Sequence, residues 1–351
     1  MFDGSTKHAS DVHAGDVLMG DNSTPRRVLS VDQYKDEILK VIPSRDSTWT
    51  IGRSQMLSLQ VSYVPHKLKS FIRGDVSDIS VRRFLEFGQE SRRVWKVYQR
   101  PVDFTEPDDL LIDPYIIGLW LGDGDRSRLI LTQDDSYPHV IKAWRDYWTS
   151  IGFKVDRCVY GNRCPRYFVR GRTQEYTRYI RSTLVPNNQP ATEGTTYKQT
   201  YGHLEKRIPR VYLMSSRRSR LALLAGLIDT DGCVDKKAYV VTTSVKSLAS
   251  DVKWLARSLG LYSSVSEKTT QIKKINYKGT AYNVYISGSA EIIDEIPTRE
   301  KHVQNGDVTR NPTIQEIKLQ SLGEGVCYRF NTDGNQRYLM NNFIAATCKT
   351  R

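Results

Sequence analysis

Two acidic residues close closely similar phrases. Ile117-Gly118-Leu119-Trp120-Leu121-Gly122-Asp123-Gly124 is matched, 108 positions later, by Ala225-Gly226-Leu227-Ile228-Asp229-Thr230-Asp231-Gly232. A lone Asp-Gly usually does no more than end a helix at a turn. Its recurrence after the same apolar run indicates one folding unit used twice, with Asp123 and Asp231 meeting at a pseudo-twofold axis. Two carboxylates held close together repel, so they persist as anions only with cations between them or with a raised pKa. Hard divalent ions, Mg²⁺ or Mn²⁺, take oxygen ligands and suit such a pair. Two of them across a phosphodiester would activate the attacking water and stabilise the leaving oxygen.

The elements that must position these acids are legible around them. Pro114 sits at a helix start, and Tyr115 to Asp123 continue as an apolar helix. Leu129 to Thr132 reads as a strand. Ser136 to Ile151 is amphipathic, with Val140, Ile141, Trp144 and Trp148 at helical spacing and Gly152 as its stop. Strands follow at Lys154 to Arg157 and Arg166 to Arg172. The second half repeats the order: a helix over Arg217 to Asp231, a strand at Tyr239 to Thr243, a helix from Val245 to Leu259 ended by Gly260, then strands at Tyr262 to Ser266 and Tyr282 to Ser287. A chance pair of motifs would not carry its flanks with it. Gly118, Ala225 and Gly226 offer the small surfaces that two closely packed helices need.

Length and composition set the partners. The chain has 351 residues, 52 Lys and Arg against 39 Asp and Glu, a formal charge of +13 and 20 Tyr with 6 Trp. Positive charge interleaved with aromatics points to nucleic acid rather than to a membrane surface. The five cysteines, Cys158, Cys164, Cys233, Cys327 and Cys348, show no C-x-x-C spacing, so neither a zinc site nor a disulfide framework is indicated. No apolar stretch is long enough to span a bilayer, and a polar segment follows Met1. The expectation is a soluble intracellular protein, nuclear if the host is eukaryotic.

The phrase Leu224-Ala225-Gly226-Leu227-Ile228-Asp229-Thr230-Asp231-Gly232 is similar to the LAGLIDADG motif at nearly every position, and Ile117 to Gly124 looks like a divergent first copy. Residues 114–305 thus resemble a two-motif, single-chain LAGLIDADG homing endonuclease, an enzyme that cuts both strands of a long DNA site with divalent metal. The resemblance implies Asp123 and Asp231 as catalytic metal-binding acids, assisted by the carbonyls of Gly122 and Thr230. It also implies a lysine near each centre. Lys206-Arg207-Ile208-Pro209 fits the usual setting, whereas Lys301-His302-Val303-Gln304 has Gln304 where proline is common. Such a lysine can orient water or offset phosphate charge; an ordinary solvated lysine is the alternative for each.

In that family the strands after each motif form a saddle in the major groove of double-stranded DNA. Residues suited to it are Arg126, Arg128, Thr132, Gln133, Arg166, Arg170 and Arg172 in the first half, and Lys236, Lys237, Thr243, Lys246, Lys268, Lys273, Lys274 and Lys278 in the second. Arginine forks onto guanine and glutamine onto adenine, while lysine more often meets phosphate. Any one of them could instead be a solvated charge. The amphipathic stretch Ile79 to Tyr98 adds Arg82, Arg83, Arg92 and Arg93.

The outer segments read as short strands, and neither can bury a face alone, so the two ends must pair. They resemble the Hint domain of inteins, in Met1 to Gly20 and in Arg337 to Ala345. The expected fold is therefore α/β (α+β): a pseudo-twofold LAGLIDADG endonuclease domain over 106–310, with halves 114–185 and 206–305, inserted in an all-β Hint-like domain made of 1–105 and 311–351. Splicing is expected to be lost. The chain opens on Met1-Phe2 rather than Cys or Ser, the stretch Thr50 to Met56 lacks the histidine of a Thr-x-x-His element, and Ala346-Thr347 precede Cys348 where His-Asn is required. Cys348 would then mark the old downstream nucleophile, or be a bland thiol. The expectation is a monomeric intein-derived homing endonuclease. The alternatives are a DNA-binding protein that keeps the fold without efficient cleavage, and an active protein-splicing intein.

Overall fold

The computed structural model describes residues 1–64, 72–104, 110–125, 128–182, 185–186, 204–272, 277–303 and 313–349. The chain divides into two compact units, Met1–Asp103 with Arg310–Arg351, and Phe104–Thr309.

In the first unit the two ends of the chain are stitched by one long ladder. Strand Pro25–Pro43 runs antiparallel to Ile317–Thr332 from Val28 opposite Thr332 to Pro43 opposite Ile317. Val17–Met19 and Trp49–Gly52 also pair with Pro25–Pro43. A second sheet holds Ile314–Gln315, Trp95–Tyr98, Met56–Val61 and Val76–Ser80 in that order. Leu39, Val41, Leu57, Leu59, Val61, Val97 and Ile344 form the core between them. The amphipathic stretch read over Ile79 to Tyr98 is built of several elements. It is a strand end, two short helices, Val81–Glu86 and Gln89–Val94, and the strand Trp95–Tyr98. Phe87 and Gly88 take extended backbone between the helices.

The second unit is mixed α/β and is built twice. Helix Pro114–Asp123 is followed by a bridge from Gly124 to Leu131, strand Ile130–Thr132, helix Pro138–Ser150 and strands Lys154–Cys158 and Arg166–Arg170. Helix Arg217–Asp231 is followed by strands Gly232–Asp235 and Ala238–Thr243, helix Lys246–Ser258 and strands Tyr262–Ile272 and Tyr277–Ser287. All strand pairs in the two sheets are antiparallel. The long hairpin of the second half reaches well beyond the Tyr262 to Ser266 and Tyr282 to Ser287 segments read from sequence, because its polar outer portion lacks the apolar alternation that marks a strand.

The two motif helices carry the core. Asp113 accepts hydrogen bonds from the Tyr115 and Ile116 amides with Pro114 in the first turn, and Ser216 accepts from the Ser219 amide. Both are standard helix starts that satisfy otherwise orphaned donors. Ile117, Leu119, Leu223, Leu224, Leu227 and Ile228 are wholly buried. Helices apolar on every side must be covered on every side, and these pack on each other and on the elements around them.

Gly118 and Gly226 set their separation. A Cβ on Gly118 would collide with the Leu223 carbonyl oxygen and lie 3.0 Å from the Gly226 Cα. A Cβ on Gly226 would collide with the Tyr115 carbonyl oxygen and lie 2.9 Å from the Leu119 nitrogen.

Candidate active site

The helix pair ends on the acids. Asp123 and Asp231 are the last residues of the two motif helices. A Cβ on Gly122 would fall on the Thr230 hydroxyl and lie 3.5 Å from the Asp231 carboxyl carbon. The acid of one helix therefore stands against the last turn of the other. The glycine after each acid is needed for space and not for a left-handed backbone: Gly124 and Gly232 are extended, and a Cβ there would strike Trp120 or Ile228.

Burial shifts both carboxyls toward the protonated form. Asp123 is raised above the ordinary carboxylate range by desolvation, partly offset by Lys206 and Lys301. Asp231 is pushed up to about 6, first by desolvation and then by the charge of Asp123, with the two lysines pulling it back. Desolvation and a nearby like charge both favour the neutral acid.

Each lysine is seated at one helix end. Lys206 is buried, and its Nζ donates to the carbonyls of Trp120 (2.8 Å), Leu121 (3.1 Å), Gly122 (3.0 Å) and Gly124 (2.7 Å), 5.1 Å from the Trp120 ring centroid. Lys301 Nζ donates to the Thr230 carbonyl at 2.7 Å. A cation at a helix C-terminus meets the negative end of the dipole and its unpaired carbonyls. The Gly122 and Thr230 carbonyls, expected from the resemblance to assist a metal, each accept from a lysine ammonium. Burial lowers Lys301, while Asp229, Asp123 and Asp231 oppose that shift.

Two acids not singled out in the sequence hold the lysine segments. Asp229 is fully buried and accepts from the Tyr115 hydroxyl (2.8 Å) and from the amides of Arg299 (2.7 Å), Glu300 (3.1 Å) and Lys301 (3.2 Å). Asp251 accepts from Arg207 at 2.6 and 2.7 Å and from the Ile208 amide at 3.1 Å. The available signal for Asp229 was an acid inside an apolar run where the first copy has Leu121; Asp251 offered none beyond its helical phase.

The outer sheet faces differ between the halves. Arg166 and Arg170 flank the Phe168 ring, their guanidinium carbons 5.3 and 4.8 Å from its centroid. They also pair with Asp125 and Asp156. In the second half Thr242, Tyr285, Ser266 and Lys268 are exposed. Arg128, Arg172, Lys236, Lys237 and Lys246 are exposed and Thr132 is half-buried. Two expected contacts are not on the surface. Gln133 and Thr243 are buried, 5% and 8% exposed, because they fall two residues after the buried Leu131 and Val241, on the inward side of the alternation; the Thr243 hydroxyl accepts from the Val245 amide. Arg126, Lys273, Lys274 and the Lys278 side chain lie outside the described residues. Arg82, Arg83, Arg92 and Arg93 are exposed on the two short helices of the other unit. There Cys348 is buried, its Sγ 3.1 Å from the Thr332 hydroxyl.

Residues 207–305 match the homing endonuclease family model. The chain is similar to the homothallic switching endonuclease of Saccharomyces cerevisiae, 24% identical over 251 residues covering 66% of this chain and 42% of that protein. It is also similar to the replicative DNA helicase DnaB of Mycobacterium intracellulare, 26% identical over 278 residues, 74% of this chain and 41% of that one. The chain spans less than half the length of these relatives. Solved structures of the homing endonuclease I-DmoI superpose on about half of it. One set of mesophilic variants covers 52% of this chain and 93% of that one, at 15% identity and TM-score 0.33. A complex of I-DmoI with DNA and Mn covers 50% and 88%, at 15% identity and TM-score 0.33. Among the described residues no helix is long and apolar enough to cross a membrane.

Proposed function

We propose that this chain is a site-specific endonuclease that hydrolyses both strands of double-stranded DNA, with Asp123 and Asp231 as its catalytic acids. The observation that carries this reading is the pair of half-buried carboxyls closing two corresponding helices, each pushed toward protonation and each end furnished with a lysine. Such strained acid pairs belong to working sites more often than to scaffolds. The family match over the second half and the likeness to a switching endonuclease support the same reaction.

The donor set fits a divalent cation: hard carboxylate oxygens whose repulsion a positive charge would relieve. Among the described residues no three His, Cys, Asp or Glu cluster together, so the protein would supply Asp123 and Asp231 as its anionic ligands. When bound, Mg²⁺ or Mn²⁺ would supply Lewis acidity toward water and the departing oxygen. The chain's own groups do the rest. Asp123 and Asp231 hold negative charge at the base of the helices, while Lys206 and Lys301 offset phosphate charge, one at each end. Protons compete with cations for Asp231, so the affinity for Mn²⁺ is expected to fall about tenfold per pH unit below its pKa of about 6. Titration calorimetry from pH 5 to 8 reads this directly; an affinity flat across that range would remove the acid pair from the site.

The DNA would lie on the outer faces of the two sheets, with Arg166 and Arg170 as base-reading candidates and the exposed lysines on phosphates. At a formal +13 and with several phosphate contacts, binding is expected to weaken by about 10³-fold or more between 50 and 200 mM salt. Fluorescence anisotropy on a duplex recovered by selection from a randomised library measures it, and a salt-insensitive affinity would argue against a backbone-tracking surface. Both halves lie in one chain, so a monomer suffices.

The β unit is read as a Hint-like remnant of an intein that no longer splices. Burial raises the Cys348 thiol, and a protonated thiol is a poor nucleophile.

A further inference from the structure

We infer that Asp229 is a positioning residue that hooks the segment Arg299 to Lys301 onto the second motif helix and so seats Lys301 at that helix's end. The inference rests on the cleavage reading above. Asp229 has no exposure to solvent and accepts four hydrogen bonds, three of them from consecutive amides of the lysine's own segment. A carboxylate that takes three successive backbone amides fixes the path of that backbone, and with it the origin of the side chain. The Lys301 ammonium then reaches the Thr230 carbonyl at 2.7 Å.

The same segment is held from the first half. The fourth donor, the Tyr115 hydroxyl, comes from the other motif helix. Burial and the neighbouring carboxylate push that phenol well above its usual range, so it remains a donor. Arg299 lies over the Tyr115 ring at 4.4 Å. Glu300 accepts from the His139 and Val140 amides at 2.6 and 3.2 Å, at the start of helix Pro138–Ser150.

The device is one-sided. The residue corresponding to Asp229 in the first motif is Leu121, a buried apolar side chain with no acceptor. Lys206 sits instead among four helix-end carbonyls, with Asp251 pinning its neighbours. Loss of Asp229 should therefore disable one centre and spare the other, turning a double-strand cutter into a nicking enzyme. General destabilisation would slow both strands alike.

The test uses the full chain and a supercoiled plasmid carrying the selected duplex, in Mg²⁺. Wild type is expected to yield linear DNA. Asp229→Asn is expected to accumulate open circles cut always in one strand, with the second cut slowed about 10- to 100-fold by the displaced lysine and DNA affinity unchanged. Lys301→Met should spare the same strand, and the double variant should be no slower than Lys301→Met alone, because the acid acts through the lysine. Independently of cleavage, amide exchange at Arg299, Glu300 and Lys301 should speed up at least about tenfold in Asp229→Asn. Equal slowing of both strands, or losses that multiply in the double variant, would overturn the inference. An inert wild type would instead overturn the cleavage reading, and the exchange rates would still decide whether Asp229 holds the segment. Should Asp229→Asn fail to fold, Tyr115→Phe, which deletes one of the four donors, is judged by the same strand bias and exchange criteria.

Discussion

Replacing Asp231 by asparagine is expected to abolish cleavage while making the cation-free protein more stable. The loss of rate follows from removing one of two charges that would hold a catalytic cation, worth several kcal/mol of transition-state stabilisation and hence about 10³-fold or more. The gain in stability follows from the same burial. The carboxyl titrates near 3.8 when unfolded and about 6 when folded. Between those values the folded state holds a proton that the unfolded state has released, so stability falls as pH rises through the window and stays at its lower level above pH 6. At pH 7 the charged acid costs the fold up to about 3 kcal/mol, which an isosteric neutral amide removes. The stability gap between variant and wild type should be near zero at pH 4 and full above pH 6. Melting curves in chelator at several pH values, with a plasmid assay beside them, measure both effects. A variant that is inactive and also less stable at pH 7 would mean that Asp231 supports the fold rather than the chemistry.

Gly226→Leu is expected to lose both stability and activity. The glycine hydrogen facing the first motif helix occupies the place where any Cβ would strike the Tyr115 carbonyl, and backbone cannot rotate aside as a side chain can. Forcing atoms into a close-packed contact costs about 1–3 kcal/mol and more where backbone is met. The helices must part, and parting them moves Asp123 from Asp231. Gly226→Ala should show the same fall at smaller size. Gly88→Ala, where a Cβ meets nothing within 4 Å, is the control and should change the midpoint little. A Gly226→Leu protein that melts and cuts as wild type would show that the helices do not depend on that contact.

The helices around the acids were legible because their signals are local. The proline start at Pro114, the apolar runs to Asp123 and Asp231, and the stops at Gly152 and Gly260 each belong to a few adjacent residues. The helices read as Ser136 to Ile151 and Val245 to Leu259 are found at Pro138–Ser150 and Lys246–Ser258. The pairing of the chain ends was legible from need alone, since neither set of strands could bury a face, yet the register of Pro25–Pro43 on Ile317–Thr332 was not. The amphipathic character of Ile79 to Tyr98 was legible, but its division at Phe87 and Gly88, where the backbone is extended, was not. At the site, the duplicated phrase pointed to Asp123 and Asp231, and the family resemblance to Lys206 and Lys301. What those lysines touch, and the hold of Asp229 and Asp251 on their segments, depends on residues 43 to 86 positions apart that no local pattern links. Gln133 and Thr243 carried the right chemistry for a groove but share the buried side of their strands with Leu131 and Val241.

The most direct test of the carboxylate pair is to count bound Mn²⁺ by electron paramagnetic resonance at pH 7, with the selected duplex present, in wild type and in Asp123→Asn/Asp231→Asn. Mn²⁺ is expected bound to the wild-type complex and lost from the double variant while duplex affinity is kept. Mn²⁺ held equally by both proteins would contradict it.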